Sequence, residues 1–333
     1  MKLKWPSRLL FAKNSGPIKR ESIDGLVIAE DLIMTAIKCP KCLSPYHRKR
    51  RADSVIKKNG FFYRSSDRKT VQRYFCAHCR AHFSTAIFSD CYKQKKRHLN
   101  SKVEQLLSAV VSLRESARVL KINRKTIDRK LIYLGKKTKQ ELLKWNERFP
   151  KAKEVLYDDL ETFEHTKCKP ISIGLMVDKE RRILGYNVAR MPAKGLLAKI
   201  SVSKYGKRRD ERPRKRAELL MQMQGLVEAR AIIKSDESPY YYKYMKRYFP
   251  EADHQRFKGR ASSIVGQGEL KKVGYDPLFA LNHTCATLRA RVCRLIRRTW
   301  CTTKKPERLD FHLAIVSLHH NKNLRMTPLT ASG

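Results

Sequence analysis

Glu154-Val155-Leu156-Tyr157-Asp158-Asp159-Leu160-Glu161-Thr162-Phe163 sets the fold class of this 333-residue chain. Its apolar, β-prone start followed by acids reads as a strand ending in carboxylates. Next comes Ile171-Ser172-Ile173-Gly174-Leu175-Met176-Val177, which alternates as a half-buried strand does. A charged turn, Asp178-Lys179-Glu180-Arg181, leads into Arg182-Ile183-Leu184-Gly185-Tyr186-Asn187-Val188. Three strands in succession, joined by short turns, make a meander.

Beyond it, a basic stretch at 204–216 runs into a helical segment at 217–228. Ala231-Ile232-Ile233-Lys234-Ser235-Asp236 reads as a buried strand that again closes on an acid. Residues 240–249 read as a helix and 254–257 as a last strand. Residues 281–299, from Leu281 to Thr299, read as one arginine-rich helix with an apolar stripe. Three strands, a helix, a strand, further elements and a closing helix are the order of a ribonuclease-H-like α/β domain, placed here at 151–333. A boundary falls at Arg148-Phe149-Pro150-Lys151, where proline discourages helix continuation.

Acids at the ends of two strands, with a polar residue on a late basic helix, point to phosphodiester chemistry. Two divalent ions about 4 Å apart can activate an attacking oxygen and stabilise a leaving one. Mg²⁺ or Mn²⁺ takes hard oxygen donors, so Asp158 is expected to bridge the ions and Asp236 to hold the second. Asn282 offers a neutral carbonyl oxygen where a carboxylate is the stronger ligand. Arg289 lies two turns further along the same face, where it can hold substrate phosphate. Glu269 and Asp276 are the substitute ligands if the register differs.

Residues 36–92 carry Cys39-Pro40-Lys41-Cys42 and Cys76-Ala77-His78-Cys79. Each pair fits one tight turn, and two such turns supply a closed tetrahedral Zn²⁺ site. The intervening Gly60-Phe61-Phe62-Tyr63 and Val71-Gln72-Arg73-Tyr74-Phe75 are strand-like, as in a zinc ribbon. His47, His78 and His82 are alternative ligands, and a pair of redox dithiols is the competing reading. Four thiolates leave no open position, so the zinc is structural. Lys41, Arg48, Lys49, Arg50 and Arg51 place the ribbon against phosphates.

Residues 98–150 look wholly helical. Leu113 to Leu131 reads as a helix-turn-helix, with small Ala117 at the crossing and Asn123 as N-cap of the second helix. Arg124, Lys125, Thr126 and Arg129 then face outward, suited to a major groove. The turn lacks glycine and has Lys121 near that place. An ordinary basic helical hairpin is the alternative.

Composition narrows the partner. Lys and Arg number 74 against 31 Asp and Glu, a formal net charge of +43. Such a surplus opposes folding by self-repulsion and makes sense with a polyanion, nucleic acid first. No run of about 18 apolar residues offers a membrane span. The only apolar run near the start, at 9–12, is too short for a signal segment, so a reducing, cytoplasmic compartment is expected and the nine cysteines point to metal before disulfides. Residues 1–35 form a basic leader.

The stretches 74–84 and 287–301 carry a resemblance to bacterial insertion-sequence transposases of the DDE class with an N-terminal zinc ribbon and helix-turn-helix. It covers most of the chain from Ile37 onward. The first looks like the family's second zinc knuckle, and the second like its C-terminal catalytic helix. The family's two aspartates fall on Asp158 and Asp236, and its glutamate on Asn282. The resemblance implies a nucleoid-associated DNA transposase that nicks element ends with water and joins the freed 3′-hydroxyl to target DNA. It also implies a homo-oligomer on DNA, with Arg291, Arg294, Arg297 and Arg298 as further DNA contacts. A transposase-derived, catalytically inactive DNA-binding protein is the alternative, and a zinc-ribbon RNA or ribosome binder a third reading.

Overall fold

The computed structural model describes residues 37–46, 55–65, 67–258, 276–296 and 301–324. The expected leader, His47, Arg48 to Arg51, Glu269, Arg297 and Arg298 lie outside them. The chain divides into two compact units, with the division between Arg97 and His98. The expected mixture of helices and strands is present, with two separate sheets among the described residues.

The first unit is built on a three-stranded antiparallel sheet of β1 (Ile56–Arg64), β2 (Lys69–Cys76) and β3 (His82–Ser84), in that order. Among the described residues its core is small: Ile37, Cys39, Ile56, Tyr74, Cys76 and Phe83. So little apolar surface gives limited stability without a further crosslink.

The second unit begins with three helices, α1 (Asn100–Ser108), α2 (Leu113–Val119) and α3 (Arg124–Asn146). Ser112 caps α2, its hydroxyl accepting from Glu115 N at 3.1 Å. Asn123 caps α3 as expected, its Oδ1 accepting from Lys125 N at 2.8 Å. Lys121 does stand in the turn's left-handed position, with φ +50°, where glycine is the cheaper residue.

The sheet of this unit comprises β4 (Ala152–Glu164), β5 (Thr166–Asp178), β6 (Ile183–Arg190), β7 (Val227–Asp236) and β8 (Asp253–Phe257). Their order is β6-β5-β4-β7-β8; the first three pair antiparallel, and β7 and β8 add on in parallel. Helices α4 (Leu197–Tyr205) and α5 (Arg212–Met223) bridge β6 to β7, and α6 (Pro239–Tyr248) bridges β7 to β8. Then come α7 (Phe279–Arg291) and α8 (Pro306–Asn323).

Alternation along β4 sorts its side chains between two cores. Leu156 and Leu160 pack with Leu281, Leu288, Leu313 and Val316 of α7 and α8. Val155 and Tyr157 pack with Leu219, Leu220 and Met223 of α5 and with Tyr241 and Met245 of α6.

Helix α8 is buried nearly all round, its polar His312, Ser317, His320 and Asn321 included. Leu313 and Val316 face the sheet, while Phe311 and Ile315 join Val103, Leu107, Ile127 and Leu131 of the N-terminal helices. A Cβ on Gly135 of α3 would stand 2.2 Å from Phe311 Cβ, so this close helix crossing needs glycine. The helical segment 98–150 therefore shares one unit with the sheet. Proline 150 marks only the step from α3 into β4. Asn146 fixes that step, its Nδ2 donating to Ile183 O and Leu184 O at 3.0 Å each.

Two elements differ from the sequence reading. The acids stand in mid-strand, because β4 runs on to Glu164 on its pairing with β5. The expected helix at 281–299 ends at Arg291, and Val292 is extended with φ −94° and ψ 102°. Val292, Cys293 and Leu295, beyond the helix end, are all buried. Continuing the helix would also stack Arg291, Arg294 and Arg298 on adjacent turns, and like charges at that spacing repel.

Candidate functional site

In the first unit, Cys39, Cys42, Cys76 and Cys79 converge, with all four sulfurs within 4.8 Å of one another. Cys39 Sγ lies 3.5 Å from Cys79 Sγ, and Cys42 Sγ lies 3.5 Å from Cys76 Sγ. A tetrahedral ion with sulfur at about 2.3 Å spaces its ligands by about 3.8 Å. Four thiolates at that spacing suit zinc. Both turns are built alike: the residue after each second cysteine, Leu43 and Arg80, takes φ +60° and +54°. Backbone bonds close them, Cys39 N to Ser44 O at 2.8 Å and Cys76 N to Ala81 O at 2.9 Å. The Ser44 hydroxyl, 3.2 Å from Cys42 Sγ, pulls that thiol down to about 6, whereas burial pushes Cys79 up. Neither His78 nor His82 belongs to the cluster.

In the second unit the two aspartates come together. The parallel ladder pairs Tyr157 with Ser235, so the next residues, Asp158 and Asp236, stand side by side on the same face. β7 ends at Asp236, and α6 starts three residues later. Ser238 N donates to Asp236 Oδ1 at 3.0 Å, turning the chain into that helix. Asp158 Oδ1 accepts from its neighbour's amide, Asp159 N, at 2.7 Å and from the Tyr241 hydroxyl at 3.1 Å. Burial pushes the Asp158 carboxyl up to about 6, and the charges of Asp236 and Asp159 add to the rise. A cation between the two acids would relieve this, and a pair of carboxylates suits a hard ion such as Mg²⁺.

Asp159 points to the opposite face and has a different task. Its Oδ2 accepts from Arg216 Nη2 at 2.6 Å and its Oδ1 from the Tyr157 hydroxyl at 3.1 Å; Arg216 Nε donates to that hydroxyl at 3.2 Å. The Arg216 guanidinium also lies over the ring of Tyr241, 5.0 Å from its centroid. The network thus runs from Asp159 through Arg216 to Tyr241, and from there to Asp158. Gly174, opposite Asp159 on β5, leaves it room: a Cβ there would be 2.7 Å from the Tyr157 oxygen.

On α7, Leu281, Cys285 and Leu288 face the core. Asn282 is exposed, and its Nδ2 donates to Asp276 Oδ2 at 3.0 Å. Cys285 on this helix feels Asp158: burial pushes its thiol up to about 12, and the Asp158 charge contributes. Arg289 lines a half-open cavity of about 520 Å³ together with Leu160 and Phe163 of β4, Lys167 and Arg294.

Among the expected DNA contacts, Arg124, Lys125 and Arg129 are exposed on α3, and Thr126 is half-buried. Arg291 is half-buried beside His319 and His320, whose pKa values its charge helps to lower. Arg294 turns inward, where burial lowers its pKa against the pull of Cys293 and Asp128.

Arg216 and Tyr241 escape a reading of the sequence because one lies in a basic run and the other among tyrosines. Arg216 does carry a signal. With Leu219, Leu220 and Met223 it completes an apolar stripe at helical spacing, and a cation in such a stripe needs a buried partner.

No protein-family model matches this chain, and no curated protein matches it.

Proposed function

We propose that this chain is a DNA transposase of the DDE type, with a zinc ribbon, a helix-turn-helix and a ribonuclease-H-like catalytic domain. The observation that carries the reading is the Asp158–Asp236 pair, placed side by side at the end of β7 and midway along β4. The antiparallel meander followed by two parallel strands supports the fold assignment. The exposed cations of α3, its N-cap and the net charge of +43 support duplex DNA as partner. Copies of the chain would assemble on the DNA to bring two ends together.

Mg²⁺ or Mn²⁺ held by Asp158 and Asp236 would supply Lewis-acid stabilisation of charge on the phosphate. The chain's own contribution is positional. The Tyr241 hydroxyl and the Asp159 amide fix one Asp158 oxygen, leaving the other free, and Arg216 holds Tyr241. Arg289, within the cavity beside β4, offers a cation for a substrate phosphate. In the nicking step water's oxygen bonds to phosphorus and a 3′-hydroxyl leaves; in joining, that hydroxyl displaces a 3′-oxygen of the target strand.

A second reading, a catalytically inactive DNA-binding derivative, is favoured by Asn282 pairing with Asp276. Labelled element-end DNA with Mg²⁺ or Mn²⁺ tests both. Cleavage and joining by the wild type, lost in Asp158→Asn, support the transposase. Folded wild-type protein that binds DNA without cutting it, and gains cutting in Asn282→Glu, supports the inactive derivative.

A further inference from the structure

Helix α6 presents two unlike faces. Its buried face carries Tyr241 and Met245, and Tyr241 bonds Asp158. Its exposed side carries Lys243, Lys246 and Arg247, with Tyr240 and Tyr242 on its two margins, all exposed, the tyrosines 68% and 46% accessible. Strand β8, at the edge of the sheet, extends this surface. The His254 ring stacks with Tyr242 at 6.3 Å between centroids and 16° between planes, and the Arg256 guanidinium lies 5.2 Å from the same ring centroid. The α6 sequence contains no acid, and among the described residues no carboxylate pairs with Lys243, Lys246, Arg247 or Arg256.

Exposed rings interleaved with cations that pair with no acid among the described residues match an unstacked polyanion better than a duplex. A duplex keeps its base faces stacked inside, whereas a single strand offers both phosphates and ring faces. We infer that the outer face of α6, together with β8, is a stacking platform for a single-stranded nucleic-acid segment beside the acid pair. Tyr240 and Tyr242 take base faces, and Lys243, Lys246, Arg247 and Arg256 take the backbone. Both tyrosines flank Tyr241 in sequence, so a strand with one phosphate at Asp158 and Asp236 meets the platform within a few nucleotides. The inference rests on the reading above only in taking nucleic acid as what the acid pair acts on.

Fluorescence anisotropy of the full chain with labelled oligothymidylate, and with a duplex of equal length, tests it. Tyr240→Ala/Tyr242→Ala should weaken single-strand binding about fivefold or more per ring and leave duplex binding nearly unchanged. Tyr240→Phe/Tyr242→Phe, which keeps the rings, should bind as the wild type does. Lys243→Gln/Arg247→Gln should lower the salt slope for the single strand by about 1.4. Wild-type melting temperature and zinc content in each variant exclude misfolding. Failure of the wild type to bind the single strand overturns the platform. So does equal affinity of the alanine pair, a parallel loss for duplex, or a loss in the phenylalanine pair.

The two readings fail separately. Asp158→Asn should keep single-strand binding while losing cleavage. Absence of cleavage with tyrosine-dependent binding sinks the transposase alone; cleavage with inert tyrosines sinks the platform alone.

Discussion

Replacing Arg216 by methionine tests the network that ties the acid site together. Arg216 and Asp159 form a buried pair, their side chains 7% and 15% accessible and 2.6 Å apart. Arg216 keeps its charge despite burial, because Tyr157 and Asp159 hold its pKa above the ordinary value. Arg216→Met leaves Asp159 an uncompensated buried charge. Breaking such a pair from one side costs about 3–5 kcal/mol. The Tyr157 hydrogen bond and the contact with Tyr241 fall within that range and are not added to it. For a unit of this size each kcal/mol lowers the melting temperature by about 2–4 °C, so a fall of about 6–20 °C is expected. Urea titration gives the free energy directly. The companion Asp159→Asn leaves Arg216 short of a counter-charge and is also destabilising. The double variant removes both charges and should cost less than the two losses added, by about 1–3 kcal/mol. A loss below about 1 kcal/mol for Arg216→Met, or strict additivity, would refute the buried-pair argument.

Chelation of zinc, or Cys76→Ser, should unfold the first unit and leave the melting of the second in place, read by metal content and by proteolysis of 55–97; a first unit that stays folded without metal contradicts the structural role. Gly135→Ala should destabilise the second unit by about 1–3 kcal/mol, because its Cβ meets Phe311 at 2.2 Å, as measured by urea titration. His312 predicts acid sensitivity. Its ring is fully buried, donating Nε2–H to Leu107 O at 2.8 Å, and burial, then the Arg294 charge, pushes its pKa down to about 4. An unfolded histidine takes its proton near pH 6.5, so between about 6.5 and 4 the unfolded state binds more protons. Stability should therefore fall with pH across that window by up to about 1.4 kcal/mol per unit. Asp158, raised to about 6, pulls the opposite way, so the difference between wild type and His312→Gln isolates the histidine.

Local patterns were legible and long-range ones were not. The four strands around the acids, the cysteine spacing and the Asn123 cap are written within short stretches, where side-chain period and turn chemistry act on near neighbours. The place of the arginines was harder to read. Arg289 and Arg294 lie five residues apart, yet the chain leaves its helix after Arg291 and turns Arg294 toward Asp128. Val292 and Leu295 pack there with partners far along the chain, which no local pattern announces.

By itself the sequence determined the element types and which cysteines and aspartates could meet, because periodicity and spacing are local properties. Only the tertiary structure decided that 98–150 belongs to the same unit as the sheet, since α8, almost two hundred residues away, supplies the shared wall. It also assigned the adjacent acids to different tasks. Strand alternation sends Asp158 toward Asp236 and Asp159 toward Arg216, and which face holds a carboxylate and which a guanidinium depends on elements that the strand meets only after folding.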